Sequence, residues 1–590
     1  MDLSKTQSDK RINLLLYGLL FLFAFIYFLL FAPHVFYFQE QSSLFVSSID
    51  FLRENLQEPG GLLVYLSTFL TSLGYYPQAG ALITAGLLLG IAVLSALVIR
   101  RISGKTGGIF PILITLSIFF LQCDYQFLII NNLGLFLQLL LFVLIIKKPE
   151  GWLPAIIIPF WYYITGGFAL VFAAMFIIWQ LMTRPGNYII RTSVFILISL
   201  ITYYISSEYL FFQGTREMLS FPWSPGGTGH HASLFRVVTV VICLLPLIAV
   251  MNKSNLHLLK PLKNKFAFFV TKTLVLLILF CAIAIFNYDK KTLDYFRAEK
   301  LFVQERYQDL IDFNLKNPSN NKLTIFLNNI ALCETGKLND LLFHFHQSPD
   351  GGTLFLKWEI VEEIVRKGGY FHYCTGMINE ANRWAYEYMV MKGITPEGLK
   401  MLIKTELING NHKTAARYNN ILRKTIFYRK DAERFDKLMF NDEAVNKDPE
   451  LGFKRKIIVK RDFFSITNDP EIDIERIVAT DSLNRKAFDY RIAWLLLSKN
   501  YQAIAGEWSS LGRYDFKSIP VHLEEAGIAL RDFYNFKLPV TGNLVISKAT
   551  EDRFKRFLQT YQSYGSSLQT AEPILRKQFG NTFWYYVFYK

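Results

Sequence analysis

YPQAGALITAGLLLGIAVLSALVIRR, residues 76–101, carries no charged residue until it closes on Arg100-Arg101. An α-helix needs about 20 predominantly apolar residues to cross a bilayer, and 78–99 supplies them. Two arginines then stop the segment at a water interface. This stretch decides the fold class, because the rest of the first half repeats its pattern.

Apolar segments of similar kind cover 12–35, 108–122, 127–146, 188–207, 234–251 and 266–287. Residues 152–182 are long enough for a tight pair, WLPAIIIPFWYYI and FALVFAAMFIIWQLM, broken at Thr165-Gly166-Gly167. Counting that pair as two predicts nine spans. The first span follows a basic N-terminus, exceeds a signal-peptide core and lacks a small-residue cleavage site, so it reads as an uncleaved anchor.

Composition agrees. The chain has 590 residues, of which 52% are hydrophobic and 16% aromatic. Residues 1–288 hold 18 Lys and Arg with 10 Asp and Glu, whereas 289–590 hold 45 and 38. Charge density therefore divides the chain near Asp289 into a polytopic transmembrane domain, 1–288, and a polar domain, 289–590. The positive surplus is shared by both halves, and no zinc-finger or single-strand-binding motif occurs, so nucleic acid is not an expected partner. Cations facing lipid headgroups explain the basicity more simply.

Orientation follows from the cations. With the N-terminus inside, inner segments carry Lys5, Lys10, Arg11, Arg100, Arg101, Lys105, Lys147, Lys148, Arg184, Arg191, Lys253, Lys260, Lys263 and Lys265. The short outer loops carry only Arg53, Arg216 and Arg236. The expected location is the bacterial inner membrane, multi-pass, with the N-terminus cytoplasmic and the C-terminal domain periplasmic. Of the five cysteines, Cys333 and Cys374 fall in the outer domain. Each lies in a helical context and reads as a separate buried thiol rather than half of a bridge.

The first outer loop, 36–77, is the most informative part of the membrane half. Glu40 stands just beyond the first apolar run. Phe45, Ile49, Leu52 and Leu56 then recur at four, three and four, the spacing of an amphipathic surface helix. Pro59-Gly60-Gly61 ends it, and GLLVYLSTFLTSLGYYPQAG reads as a second interfacial or re-entrant helix.

One span, an acid, a long outer loop with two interfacial helices and a span ending in Arg-Arg resemble the opening of the GT-C glycosyltransferases. PGGLLVYL stands where many members have a proline-rich loop motif. SGKTGGIFPILITLSIFFLQCDYQFLIINNLGLFLQLLLFVLIIKK resembles their third and fourth spans, around a tiny outer loop that here holds Asp124. WYYITGGFALVF sits where many members carry a Thr-Lys-Gly turn, with Gly166 in place of the lysine. The likeness covers about 12–290. Over nearly the whole chain, the Glu-Gln, the Pro-Gly-Gly and the helical tail also resemble an uncharacterised family of bacterial polytopic membrane proteins.

The GT-C resemblance implies transfer of a sugar from a polyprenyl-phosphate donor at the outer face. A base must take the acceptor's proton while the phosphate leaves as an anion. By position Glu40 is that base, with Asp124 as a second catalytic carboxylate. A carboxylate beside an apolar wall is expected to have a raised pKa. The largest later outer loop, EYLFFQGTREMLSFPWSPGGTGHHASLFR (208–236), offers Arg216, His230, His231 and Arg236 to a phosphate. Each has an ordinary reading too: Glu40 as an interfacial charge, Asp124 as a cap, the histidines as loop residues. No third ligand is fixed near His230-His231, so a divalent metal is unsupported, and no cofactor is implied. Asn131 and Asn132 are expected to pair across helices.

The tail shows helix-turn-helix similarity. RYQDLIDFNLKNP (306–318) aligns with KLNDLLFHFHQSP (337–349), and TGKLND (335–340) with TGMINE (375–380). NGNHKTAARY (409–418) and SKNYQAIAGEW (498–508) have the same form. Units of about 34 residues built this way are tetratricopeptide-like repeats, which stack into an α-solenoid with a concave face. In NEANRWAYEYM (379–389), Arg383 beside Trp384 is a candidate partner-binding pair, or a solvated face with the tryptophan buried. Two functions fit: a GT-C-like membrane glycosyltransferase whose tail recruits protein partners, and a non-enzymatic, membrane-anchored periplasmic scaffold.

Overall fold

The computed structural model describes residues 3–105, 110–147, 151–211, 214–223, 229–253, 265–459, 465, 469–481, 483–514, 516–539, 544–564 and 567–590. Among them the chain is all-helical and forms no β-sheet. It divides into two compact units. One comprises Met1–Asp289 with Lys424–Phe427, the other Lys290–Arg423 with Tyr428–Lys590.

The first unit begins with α1 (Leu3–Leu30), which bends by 68° into α2 (Pro33–Gln41). Pro33 occupies the first turn of α2, where a missing N–H costs nothing. Next come α3 (Ile49–Asn55), α4 (Gly61–Ser72) and α5 (Pro77–Ser103). Helix α5 is central and packs on α1 and on α6 (Phe110–Gln122) and α7 (Ile129–Ile145). Its alanines at 81, 85 and 92 are fully buried and let neighbouring backbones approach closely. The unit continues through α8 (Leu153–Thr165), α9 (Ala169–Thr183), α10 (Tyr188–Ile205), α11 (Thr215–Ser220), α12 (Ala232–Cys243), α13 (Leu245–Lys253) and α14 (Lys265–Phe286).

Among the described residues, three helical stretches are long and apolar enough to cross a membrane: Pro77–Ser103, Leu153–Thr183 and Tyr188–Leu210. Three bent pairs raise this to six if each pair is one span. Length and composition thus support fewer than the nine spans expected. Residues 153–183 form α8 and α9, broken at the expected Thr165-Gly166-Gly167, where Gly166 leaves helical geometry and a 3-10 turn spans Gly166–Phe168. The surface helix after Glu40 is also shorter than its spacing suggested. It starts at Ile49, capped by the Ser48 hydroxyl, and buries no residue. Phe45 is drawn instead into an aromatic cluster, 5.2 Å from Tyr65 and 5.3 Å from Phe69 between ring centroids.

The second unit opens with α15 (Lys290–Val303), α16 (Tyr307–Lys316), α17 (Lys322–Glu334) and α18 (Leu338–Leu341). Helices α19 (Glu362–Thr375), α20 (Ile378–Lys392), α21 (Pro396–Ile408), α22 (His412–Arg423) and α23 (Arg429–Asp436) then pack each on the next. The same turn recurs between helices. A left-handed residue follows the helix end at Gly336, Gly376, Gly410 and Lys499, which reverses the chain without strain where it is glycine. The 337–349 copy of the 306–318 motif does not complete its helix: after α18 it makes only the 3-10 turn Leu342–His344. Gln347 explains the break, since its amide donates to Leu342 O (2.9 Å) and to Asn329 Oδ1 (3.2 Å).

Two buried charge clusters tie this unit together. Arg366 and Lys367 of α19 meet Glu299 of α15 and Glu397 of α21, with side chains at most 4% exposed. Glu334 receives Lys454 at 2.6 Å and Lys486 at 2.5 Å. These lysines also donate to Cys374 O (3.1 Å) and Cys333 O (3.3 Å). Cys333 and Cys374 are both buried and free, and their thiols touch. This agrees with the expectation of two buried thiols rather than a bridge, although α17 and α19 bring them to one place.

These groups fix a pH dependence. Burial alone would raise Glu334 and Glu397, but their lysine and arginine partners pull both down to about 2. Their contribution is complete above the ordinary value of 4.5 and is lost as pH falls through 2. Burial lowers His372 to about 3 and His344 to about 4, so both favour the folded state above 6.5 and lose that effect in acid. Asp489, raised by burial to about 6, acts in the opposite sense between 6 and 3.8. Four groups against one predict a lower Tm at about pH 3.5 than at about pH 7 by differential scanning fluorimetry of the whole chain. An equal or higher Tm in acid would contradict the buried pairing.

Candidate functional site

The short turn between α6 and α7 carries Asp124. Its carboxylate caps its own turn, with Oδ1 accepting from Gln126 N at 3.0 Å. Oδ2 accepts from the backbone N–H of His230 at 2.8 Å and lies 3.0 Å from the His230 Nδ1. Asp124 and His230 are 106 positions apart in the chain. Gly229 makes the approach possible, because a Cβ there would stand 2.4 Å from Asp124 Oδ2. The Asp124 side chain is 8% exposed and that of His230 67%. A fixed carboxylate thus holds the proximal nitrogen of an imidazole that faces outward, an arrangement that suits acid-base work or a contact to phosphate.

Helix α2 packs on the same turn. Gln39 donates to Phe127 O at 2.9 Å, and Phe38 lies edge-on to Tyr125 at 4.7 Å. Its neighbour Glu40 is 4% exposed and accepts from Gln41 Nε2 at 2.7 Å. Glu40 is therefore enclosed in protein rather than presented at a surface. Beneath the turn, Asn132 donates to Gln122 at 2.6 Å, and Gln122 to Phe127 O at 3.2 Å. Asn132 joins α7 to α6, the expected cross-helix pairing.

The other sequence candidates lie apart from this pair. His231 packs its ring on Phe120 with centroids 5.0 Å apart. Arg236 is exposed and folds back on its own helix, with Nη2 3.3 Å from Ser233 Oγ. Arg216 belongs to α11, but its side chain lies outside the described residues, as do residues 224–228 of the same loop. In the second unit Trp384 is buried beneath Gly368 and Gly369 and lies edge-on to Trp358 at 4.6 Å. Arg383 stacks over Trp358 and pairs with Glu380 at 2.8 Å. Of that candidate pair, only the arginine reaches the surface.

A second cluster in the first unit was not foreseen as one. Gly60 N donates to Tyr163 O at 2.9 Å, and Gly167 N to Phe221 O at 2.7 Å. Pro59-Gly60-Gly61, Thr165-Gly166-Gly167 and Phe221-Pro222-Trp223 thereby meet backbone to backbone. A Cβ on Gly166 would lie 2.5 Å from Phe221 O and 2.8 Å from Pro59 O, and its φ is +58°. No lysine side chain could leave this position. Gly166→Ala is expected to cost ~2–4 kcal/mol, seen as reduced folded protein in the membrane. Gly86→Ala in open space on α5 is the silent control. Normal abundance of both would show that the loops do not pack this closely.

Beside that cluster, an apolar cavity of about 240 Å³ lies between α8 and α10, lined by Pro159, Tyr163, Ile198, Ile201 and Leu210 among others. Among the described residues no group of three His, Cys, Asp or Glu side chains converges as a metal site.

The chain belongs to a family of unknown function, DUF6057, whose family model matches residues 9–590. No curated protein and no solved structure matches it.

Proposed function

We propose that this member of a family without an assigned activity is a GT-C-like membrane glycosyltransferase. It would transfer a sugar from a polyprenyl-phosphate donor at the outer face of the bacterial inner membrane. In this reading His230 meets the phosphate, and Asp124 is the positioning residue that holds its Nδ1. Glu40 is the base that takes the acceptor hydroxyl's proton, once Gln41 moves from its carboxylate. The leaving phosphate departs as an anion, and in its protonated form His230 stabilises that charge. The apolar cavity between α8 and α10 suits part of a polyprenyl chain.

The observation that carries the proposal is the meeting of Asp124 and His230, with α2 and Glu40 packed on the same turn. We further read the first unit as multi-pass and the second as a periplasmic, TPR-like solenoid, supported by its recurring left-handed turn. That solenoid would recruit acceptor or partner proteins, with Arg383 on its exposed surface.

One observation favours the anchored-scaffold reading instead: Glu40 is enclosed. The test is Glu40→Gln in cells that depend on the chain. Glutamine keeps the volume and the hydrogen bond from Gln41 but cannot take a proton. The variant is expected at normal abundance without function, while Glu54→Gln on exposed α3 stays silent. Full function of Glu40→Gln would leave the scaffold as the better reading.

A further inference from the structure

NHKTAARYNNILRKTIFYRK, residues 411–430, carries Lys413, Arg417, Arg423, Lys424, Arg429 and Lys430 without a single Asp or Glu. All six cations are exposed. Arg423 pairs with Asp436, and Arg429 lies 4.0 Å from Glu433. The other four form no ion pair among the described residues. A solvated helix face normally intersperses both signs, so an unbroken run of one sign asks for an anionic partner.

The middle of this run belongs to the first unit. Lys424 O accepts from Ser47 N at 2.9 Å. The Phe427 ring lies flat on Tyr75, with centroids 4.8 Å apart and 2° between planes, and edge-on to Tyr76 at 5.5 Å. Tyr76 is the residue that caps α5, a helix long and apolar enough to span a membrane. Ile426, between Lys424 and these rings in the chain, is 42% exposed. An aromatic triad, an exposed aliphatic side chain and the exposed Lys424 at the end of a membrane-capable helix form the composition of a headgroup contact.

We propose that the loop Lys424–Phe427 binds anionic phospholipid headgroups at the Tyr76 end of α5. This rests on α5 crossing a bilayer and not on the transferase reading. The test is peptide-level hydrogen exchange on the full chain in nanodiscs, with phosphatidylcholine alone or with phosphatidylglycerol added. Exchange across 411–430 is expected to slow by about tenfold in the anionic discs. High salt and a Lys424→Glu variant should each remove the effect. Inorganic phosphate added to the phosphatidylcholine discs should leave exchange unchanged. Equal exchange in both discs overturns the proposal, and slowing by inorganic phosphate alone overturns the lipid as ligand. A chain that does not enter the discs overturns the spanning reading of α5 and the proposal with it, a distinct outcome.

Discussion

Replacing Glu397 with glutamine is expected to destabilise the C-terminal unit by about 3–5 kcal/mol, the usual result of removing one partner from a buried ion pair. Glu397 accepts from Arg366 Nε at 2.7 Å and from Lys367 Nζ at 2.8 Å, and none of these side chains is more than 4% exposed. Glutamine preserves the shape but leaves two buried cations to share Glu299. The Tm of the whole chain should fall by on the order of 10 °C. Glu380→Gln, which breaks the partly exposed pair with Arg383, should cost under about 1 kcal/mol. Adding Lys367→Met to Glu397→Gln should recover part of the loss, because the surplus charge is gone. Equal Tm values for Glu397→Gln and Glu380→Gln would mean that the cluster is hydrated.

The second large effect concerns Asp124. Asparagine there retains the hydrogen bond from Gln126 N but no longer holds the imidazole with a charge. Loss of a preorganised contact to a developing anion typically costs about 10²- to 10³-fold in rate. Asp124→Asn and His230→Ala should therefore each reduce turnover by that order, and the double variant by no more than the worse single one. If Asp124 acts only as a turn cap, His230→Ala will be silent while Asp124→Asn lowers abundance. A pH-rate profile separates the cases, since only a positioning role alters the acid limb when Asp124 is changed.

The all-helical class was legible because its signals are local. The apolar run 78–99 with Arg100-Arg101 became Pro77–Ser103, ended by Gly104 in a left-handed cap. Helix-ending Thr-Gly pairs at 335–336 and 375–376 likewise mark real turns. What escaped is information held between distant segments. Thr165-Gly166-Gly167 was read as a break, which it is, but nothing local showed that its glycines also serve close contact with residues 59 and 221. Phe45 fitted a helical spacing but packs on Tyr65 and Phe69. Nothing in the local charge pattern marked Arg366-Lys367 as buried. The Gly368-Gly369 that follows was the available sign, because a helix that buries a tryptophan against glycines has little surface there. Asp124 and His230 were each named in advance, but nothing local paired them.

The most direct measurement is the release of free polyprenyl phosphate by the purified full chain, incubated with lipid-linked sugars extracted from membranes. A GT-C-like transferase predicts release that depends on an acceptor and falls by about 10²-fold or more in Asp124→Asn and in Glu40→Gln. Release that is equal in wild type and both variants, or no greater than in membranes lacking the chain, would contradict it.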